Sequence, residues 1–90
     1  MWYVYVLKSK RADYSYIGST NDLGRRLCEH NNGSSPATAP YAPFIIGAYI
    51  AVPTEKQARS LELYFKTGSG KAILNKRILG LNPLADEALA

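Results

Sequence analysis

Three features of this sequence predict a single α/β (α+β) domain built on a small antiparallel sheet. Two short aromatic strand patterns lie close enough to form a hairpin, a later apolar run has strand length, and helical periodicities stand between and after them. A chain of 90 residues buries about 60% of its unfolded surface at most, which allows one small core and no second domain. The expected domain spans residues 1–80, with residues 81–90 as a loosely docked C-terminal tail.

Trp2 to Lys8 alternates aromatic and β-branched residues. Tyr3, Tyr5 and Leu7 therefore share one face of a strand, and Trp2, Val4 and Val6 the other. Ser9 to Asp13 is a polar loop, and Tyr14 to Gly18 reads as a second strand pairing back on the first, so that four tyrosines share a hairpin face. Thr20, Asn21 or Asp22 caps a helix that runs to about Asn31 and stops at Asn32-Gly33. At 100° per residue from Leu23, Leu27 falls at about 40°, His30 at about 340° and Arg26 at about 300°, whereas Arg25 falls at about 200°. Arg26 and His30 thus flank the buried stripe, and Arg25 points outward.

Gly33 to Pro43 is rich in Ser, Pro and Ala and reads as a surface loop without regular structure. Phe44 to Val52 is the third strand, expected to be central because its near-continuous apolarity implies cover on both faces. Thr54-Glu55-Lys56-Gln57 is a capping-box sequence opening a helix through Lys66. Its apolar stripe is Ala58, Leu61 and Phe65, and Glu62 sits among them. An inward carboxylate is costly unless it has a partner, and the plainest partner is Lys66, one turn on. Gly68-Ser69-Gly70 is expected to break the chain before a short basic helix from Lys71 to Leu79. With Phe65 and Ala72 where a Walker phosphate loop needs Gly and Ser or Thr, that reading of the glycines is rejected.

The formal net charge is +4, but residues 1–80 hold all 11 basic residues and only five of the seven acidic ones. A phosphate-bearing partner is the natural reading. Phe44 to Val52, interrupted by Gly47, is too short to span a bilayer, and the start has no basic n-region leading to an apolar stretch. A cytoplasmic protein with no membrane partner is expected. One cysteine and one histidine supply neither an internal disulfide nor a Cys/His zinc set, so any metal is held mainly by oxygen.

Tyr5, Tyr16, Arg26, His30 and Glu62 bring together phenols, a fixed cation, an imidazole and an inward carboxylate. Tyr3-Val4-Tyr5 and, about ten residues later, Tyr16-Ile17-Gly18, then Arg26, His30 and Glu62, give this chain a resemblance to the GIY-YIG nuclease superfamily, specifically its small single-domain bacterial members. The resemblance covers roughly residues 2–77. It implies a three-stranded antiparallel sheet flanked by helices and one-metal hydrolysis of a DNA phosphodiester, structure-directed and serving repair or recombination. Tyr5 matches the tyrosine of the first motif, Tyr16 that of the second, Gly18 its closing glycine, Arg26 the helix arginine, His30 the histidine one turn on and Glu62 the metal-binding glutamate. Asn75 is similar in placement to a later asparagine of many members. Tyr3 departs from the pattern by standing where the first motif has glycine.

The chemistry of these roles is general. A divalent cation on Glu62, Mg²⁺ or alternatively Mn²⁺, suits one carboxylate plus substrate oxygens and water. Arg26 binds the phosphate through its planar fork. Tyr5 is the candidate base, drawn toward phenolate by Arg26 and the metal, with Tyr16 and His30 orienting water or phosphate. Lys10, Arg11, Arg25, Lys66, Lys71, Asn75 and Lys76 are the expected nucleic-acid contacts, to DNA or alternatively RNA. With no room for a separate recognition domain, specificity is expected from DNA shape, a homodimer or a recruiting protein. The rival readings are a noncatalytic nucleic-acid-binding module on the same scaffold and a protein-interaction adaptor using the tyrosine face.

Overall fold

In the computed structural model, which describes residues 1–80, β1 (Trp2–Ser9) lies between β2 (Ser15–Thr20) and β3 (Phe44–Val52), all antiparallel. The helices α1 (Leu23–Asn31), α2 (Glu55–Phe65) and α3 (Gly68–Ile73) complete the fold. The expected tail, residues 81–90, lies outside the described residues. Among the described residues no helix is long and apolar enough to cross a membrane.

Two apolar clusters separate on the faces of β1, as strand alternation requires. Val4 and Val6 pack with Ala58 and Phe65 of α2 and with Leu74, all at most 4% exposed. On the other face Tyr5, Leu7 and Phe44 form a second cluster, joined by Leu23 and Leu27 of α1. The sheet is thus the middle of three layers.

The third strand is at the edge rather than central. Leu7 pairs with Ile46 and Val6 with Ala48, so Gly47 is an extra residue at a bulge. The bulge switches the facing: Phe44 and Ile46 join the Tyr5 cluster, while Ile50 and Val52 join the Val4 cluster. Near-continuous apolarity therefore comes from serving two faces in succession, and Ile45 and Tyr49 stay exposed. The second strand also differs from expectation, starting at Ser15 because the Tyr14 N–H donates to Ala12 O in the loop at 2.9 Å, and continuing to Thr20 opposite Tyr3. Tyr14 still joins the tyrosine face, stacked on Tyr41 with centroids 3.9 Å apart.

Asp22 caps α1 by accepting from Arg25 N at 3.0 Å, and Thr54 and Gln57 form the reciprocal capping box of α2. The loop after α1 is more ordered than its composition implies. It contains a 3₁₀ turn at Ala39–Tyr41, and Thr38 is wholly buried. Asn31 fastens the loop's end by accepting from Phe44 N at 2.6 Å and donating to Phe44 O at 3.2 Å.

Gly68-Ser69-Gly70 does not break the chain. Thr67 caps α3, accepting from Gly70 N at 3.1 Å, and the helix runs into a π turn over Leu74–Ile78. The sequence shows glycines but not the packing that needs one: a side chain at Gly70 would overlap the Tyr64 carbonyl of α2, whereas Gly68 has open space. Gly70→Ala is expected to lower stability by about 2 kcal/mol, or roughly 10 °C in Tm. Gly68→Ala is expected to raise it by about 0.5 kcal/mol; thermal denaturation of both variants checks the opposite signs.

Candidate active site

Tyr5 stands opposite Gly18 in the β1–β2 ladder, on the face that α1 covers. Its ring crosses the neighbouring strand at that glycine. A Cβ on residue 18 would lie 2.5 Å from the Tyr5 hydroxyl and 2.7 Å from Cζ. Gly18 is therefore a matter of space for the phenol, not of backbone conformation. Tyr3, at the departure from the family motif, is half-buried and packs edge-on against Tyr49 with centroids 6.0 Å apart.

The helix-face reasoning for α1 holds in the structure. His30 is fully buried, Arg26 half-buried and Arg25 exposed. Arg26 Nε donates to the Tyr5 oxygen at 3.4 Å, and the Tyr5 hydroxyl meets His30 Nε2 at 3.2 Å. His30 Nδ1 meets Thr38 Oγ1 at 2.8 Å, and the Thr38 hydroxyl donates to Ser35 O at 3.3 Å. Tyr16 packs beside them, its ring centroid 5.0 Å from that of His30.

These contacts assign the protons. An arginine only donates, so the Tyr5 oxygen accepts from Arg26 and its own proton is free to go to His30 Nε2. Nδ1 then carries the imidazole proton and donates to Thr38, whose proton goes to Ser35 O. Among the described residues no buried side-chain polar atom lacks a partner, and this single direction of donation uses every group in the chain. His30 is held neutral, since burial and then the Arg26 charge push its pKa below the usual imidazole value.

Burial also pushes the Tyr5 hydroxyl up, outweighing the Arg26 hydrogen bond and charge that pull it down. Arg26 alone does not draw Tyr5 toward phenolate: removing the phenol from water costs the anion more than the guanidinium returns. Tyr5 is a neutral donor.

Glu62 approaches from the opposite layer. It makes no hydrogen bond to Tyr5, Tyr16, Arg26 or His30; its Oε1 accepts from Ser19 Oγ at 2.7 Å and its Oε2 from Lys66 Nζ at 2.8 Å. Burial raises its pKa, but the bonds from Lys66 and Ser19 and the charges of Lys66 and Arg59 outweigh it, so it stays ionised below the usual glutamate range. Its charge nonetheless reaches Tyr5, adding to the upward push on the phenol. The site is therefore four residues in one cluster and a carboxylate beside them across β2.

A cleft of about 290 Å³ adjoins both parts, lined by Arg25, Arg26 and Arg59 with Ser19 and Trp2. Arg26 is held by Glu29 at 3.1 Å, and Arg59 by Glu55 at 2.8 Å. Three guanidinium groups in one cleft suit a polyanion. Of the other expected contacts, Lys10 and Arg11 are exposed on the β1–β2 loop, and Lys71 and Lys76 are exposed on and after α3, with Asn75 half-buried between them. Lys66 is exposed but committed to Glu62.

Sequence reasoning missed Thr38, Ser19 and Arg59. Thr38 lies in a loop whose composition signals only irregularity, and Ser19 looks like a turn residue. Arg59 is legible only as an i+4 partner of Glu55. Thr38→Val leaves the buried His30 Nδ1–H without an acceptor and is expected to cost about 1–3 kcal/mol. Thr38→Ser is expected to retain most of that, and urea denaturation of the pair separates the lost hydroxyl from lost volume.

The chain is similar to known proteins in two comparisons. The GIY-YIG catalytic domain model matches residues 1–77. The solution structure of the UPF0213 protein BH0048 from Bacillus halodurans is similar at a TM-score of 0.54 and 30% identity, over 97% of this chain and 94% of that one. No curated protein matched the chain. With the family model spanning both strand motifs, α1 and α2, and reaching into the π turn, this chain belongs to the GIY-YIG nuclease family.

Proposed function

We propose that the protein is a metal-dependent endonuclease that hydrolyses a DNA phosphodiester, with Tyr5, Arg26 and His30 as its proton-handling and phosphate-binding core. The observation that carries this reading is the buried Tyr5 hydroxyl, held between the Arg26 guanidinium and neutral His30 at 3.4 and 3.2 Å. A tyrosine used only for packing has no need of a cation on one side and a proton acceptor on the other.

The donor set tests whether a metal fits. Among the described residues no group of three or more His, Cys, Asp or Glu side chains converges, which argues against an all-protein cage. Glu62 is ionised and one-fifth exposed, the setting for a hard cation that takes one carboxylate and fills its shell with phosphate oxygens and water. Glu62 would hold Mg²⁺ or Mn²⁺, which would supply Lewis acidity to the phosphoryl group. Lys66 occupies Oε2 at 2.8 Å and must yield that oxygen or share it.

The residues of this chain divide the remaining work. Arg26, half-buried and fixed by Glu29, binds a phosphoryl oxygen and offsets the charge that grows there. Tyr5 accepts a proton from the attacking water as its own passes to His30 Nε2, so no free phenolate has to form and the raised Tyr5 pKa is no obstacle. The water oxygen bonds to phosphorus, the leaving oxygen departs with the electron pair of its broken bond and takes a proton from solvent, and the proton relayed through Tyr5 rests on His30. Thr38 holds the imidazole in the accepting tautomer. The arginine cleft guides the strand in, and the reading extends to substrates distinguished by their structure, as in repair.

One observation favours a second reading, a noncatalytic nucleic-acid-binding module: Glu62 is satisfied by Ser19 and Lys66 and stands apart from the tyrosine cluster. A cleavage and binding assay separates the two. With Mg²⁺ or Mn²⁺ and a panel of single-stranded, branched and flapped DNA, cutting is expected, with Glu62→Ala reducing it by about a hundredfold or more while binding persists. Arg26→Ala is expected to be far more damaging to cutting than Arg25→Ala, which removes one surface charge. Absence of cutting across the panel with binding intact supports the module.

A further inference from the structure

We propose that the cavity between β2 and α3 is a nucleotide subsite, taking the base of one unpaired nucleotide that flanks the scissile phosphate. It measures about 470 Å³, within the range of small-molecule sites. Its lining divides by chemistry. Ile17 and Leu79, both half-buried, supply apolar surface beside the buried Leu74; Asp13 and Asn75 supply hydrogen-bonding groups, and Lys66 and Lys71 bring two ammonium groups. Leu74 is only 3% exposed and belongs to the core, so this surface is fixed by the fold.

A nucleotide matches all three parts: a flat apolar base, a polar edge and a phosphate. An inorganic anion leaves the apolar surface uncovered, and a hydrocarbon leaves Lys66, Lys71 and Asp13 unmatched. The position of the cavity adds a second argument. Ser15 and Tyr16 line it at the start of β2, whereas Ser19 and Thr20 line the arginine cleft at the strand's end. Between them, Ser19 and Lys66 hold Glu62. β2 is an edge strand of six residues, about 20 Å long. A nucleic-acid strand following that edge meets three arginines on one side of Glu62 and the cavity on the other, within roughly three to six nucleotides.

A base paired in a duplex must be extruded to enter a cavity, and the cost is least for one already unpaired. The substrate class is therefore nucleic acid with an unpaired nucleotide beside the cut. The location of the cut rests on the nuclease reading above; the subsite itself is tested without cutting.

Binding is measured by fluorescence anisotropy in chelator, using single strands of about ten nucleotides, with an abasic residue placed at each position in turn. One or two positions are expected to weaken binding about tenfold, and a fluorescent base analogue there to change its emission. Asn75→Ala is expected to weaken the intact strand several-fold and leave the abasic strand unchanged. Lys71→Ala is expected to weaken both equally and reduce the salt slope by about one. Equal binding of every abasic strand overturns the proposal, as does equally tight binding of a fully paired duplex. A free nucleoside monophosphate that binds more tightly than the strand also overturns it, making the cavity a small-molecule site. An abasic penalty in a protein that never cuts keeps the subsite and removes the nuclease reading, whereas cutting without a penalty does the reverse.

Discussion

The phenol of Tyr5 lies across Gly18 with its oxygen between Arg26 and His30, and the surrounding structure is arranged to keep it there. Strand register puts a glycine opposite the tyrosine. The cap at Asp22 sets the phase of α1, so that Arg26 and His30, four residues apart, both face the sheet while Arg25 does not. The following loop then returns Thr38 to hold the far side of the imidazole. Together they fix a neutral proton acceptor beside a neutral phenol in a buried place. A low-dielectric site of this kind makes an unpaired polar group costly, which is why every group in the chain of hydrogen bonds is used.

A second organising fact is that β2 is an edge strand. α1 and the tyrosine cluster lie on one face of the sheet, and α2 with Glu62 lies on the other. Around β2 the two approach each other, through Ser19 and the charge of Glu62 on Tyr5. The basic residues follow the same line, with Arg25, Arg26 and Arg59 at one end of β2 and Lys66 and Lys71 at the other. A substrate that meets both halves of the site must therefore lie along this edge. Lys66 has two neighbours in this arrangement, the carboxylate and the cavity, so it links what happens at Glu62 to what is bound beside it.

Much of this was legible from periodicity. The phase of α1 is an arithmetic consequence of 3.6 residues per turn, and the capping box of α2 is written in Thr54 and Gln57. Contacts between distant segments were not legible. Nothing local to Thr38 signals that its loop folds back onto His30, and nothing local to Gly70 signals that α3 crosses the backbone of α2. The misreading of β3 has the same origin: continuous apolarity implies two covered faces, but whether they are covered at once or in turn depends on a bulge at Gly47 that only pairing reveals. The balance at Tyr5 between Arg26 and burial was not legible either, because the guanidinium is visible in the sequence and the extent of burial is not.

His30 stands as a neutral acceptor for the Tyr5 proton, held in that tautomer by Thr38. Nitrogen-detected NMR of the labelled imidazole measures this directly. A neutral ring with its proton on Nδ1 is expected at pH 7, charging only below the usual imidazole value of about 6.5. Because the folded pKa is lowered, the stability it contributes is full above that value and is lost as pH falls through the folded one. A ring protonated on Nε2 at pH 7, or one already doubly protonated there, contradicts it.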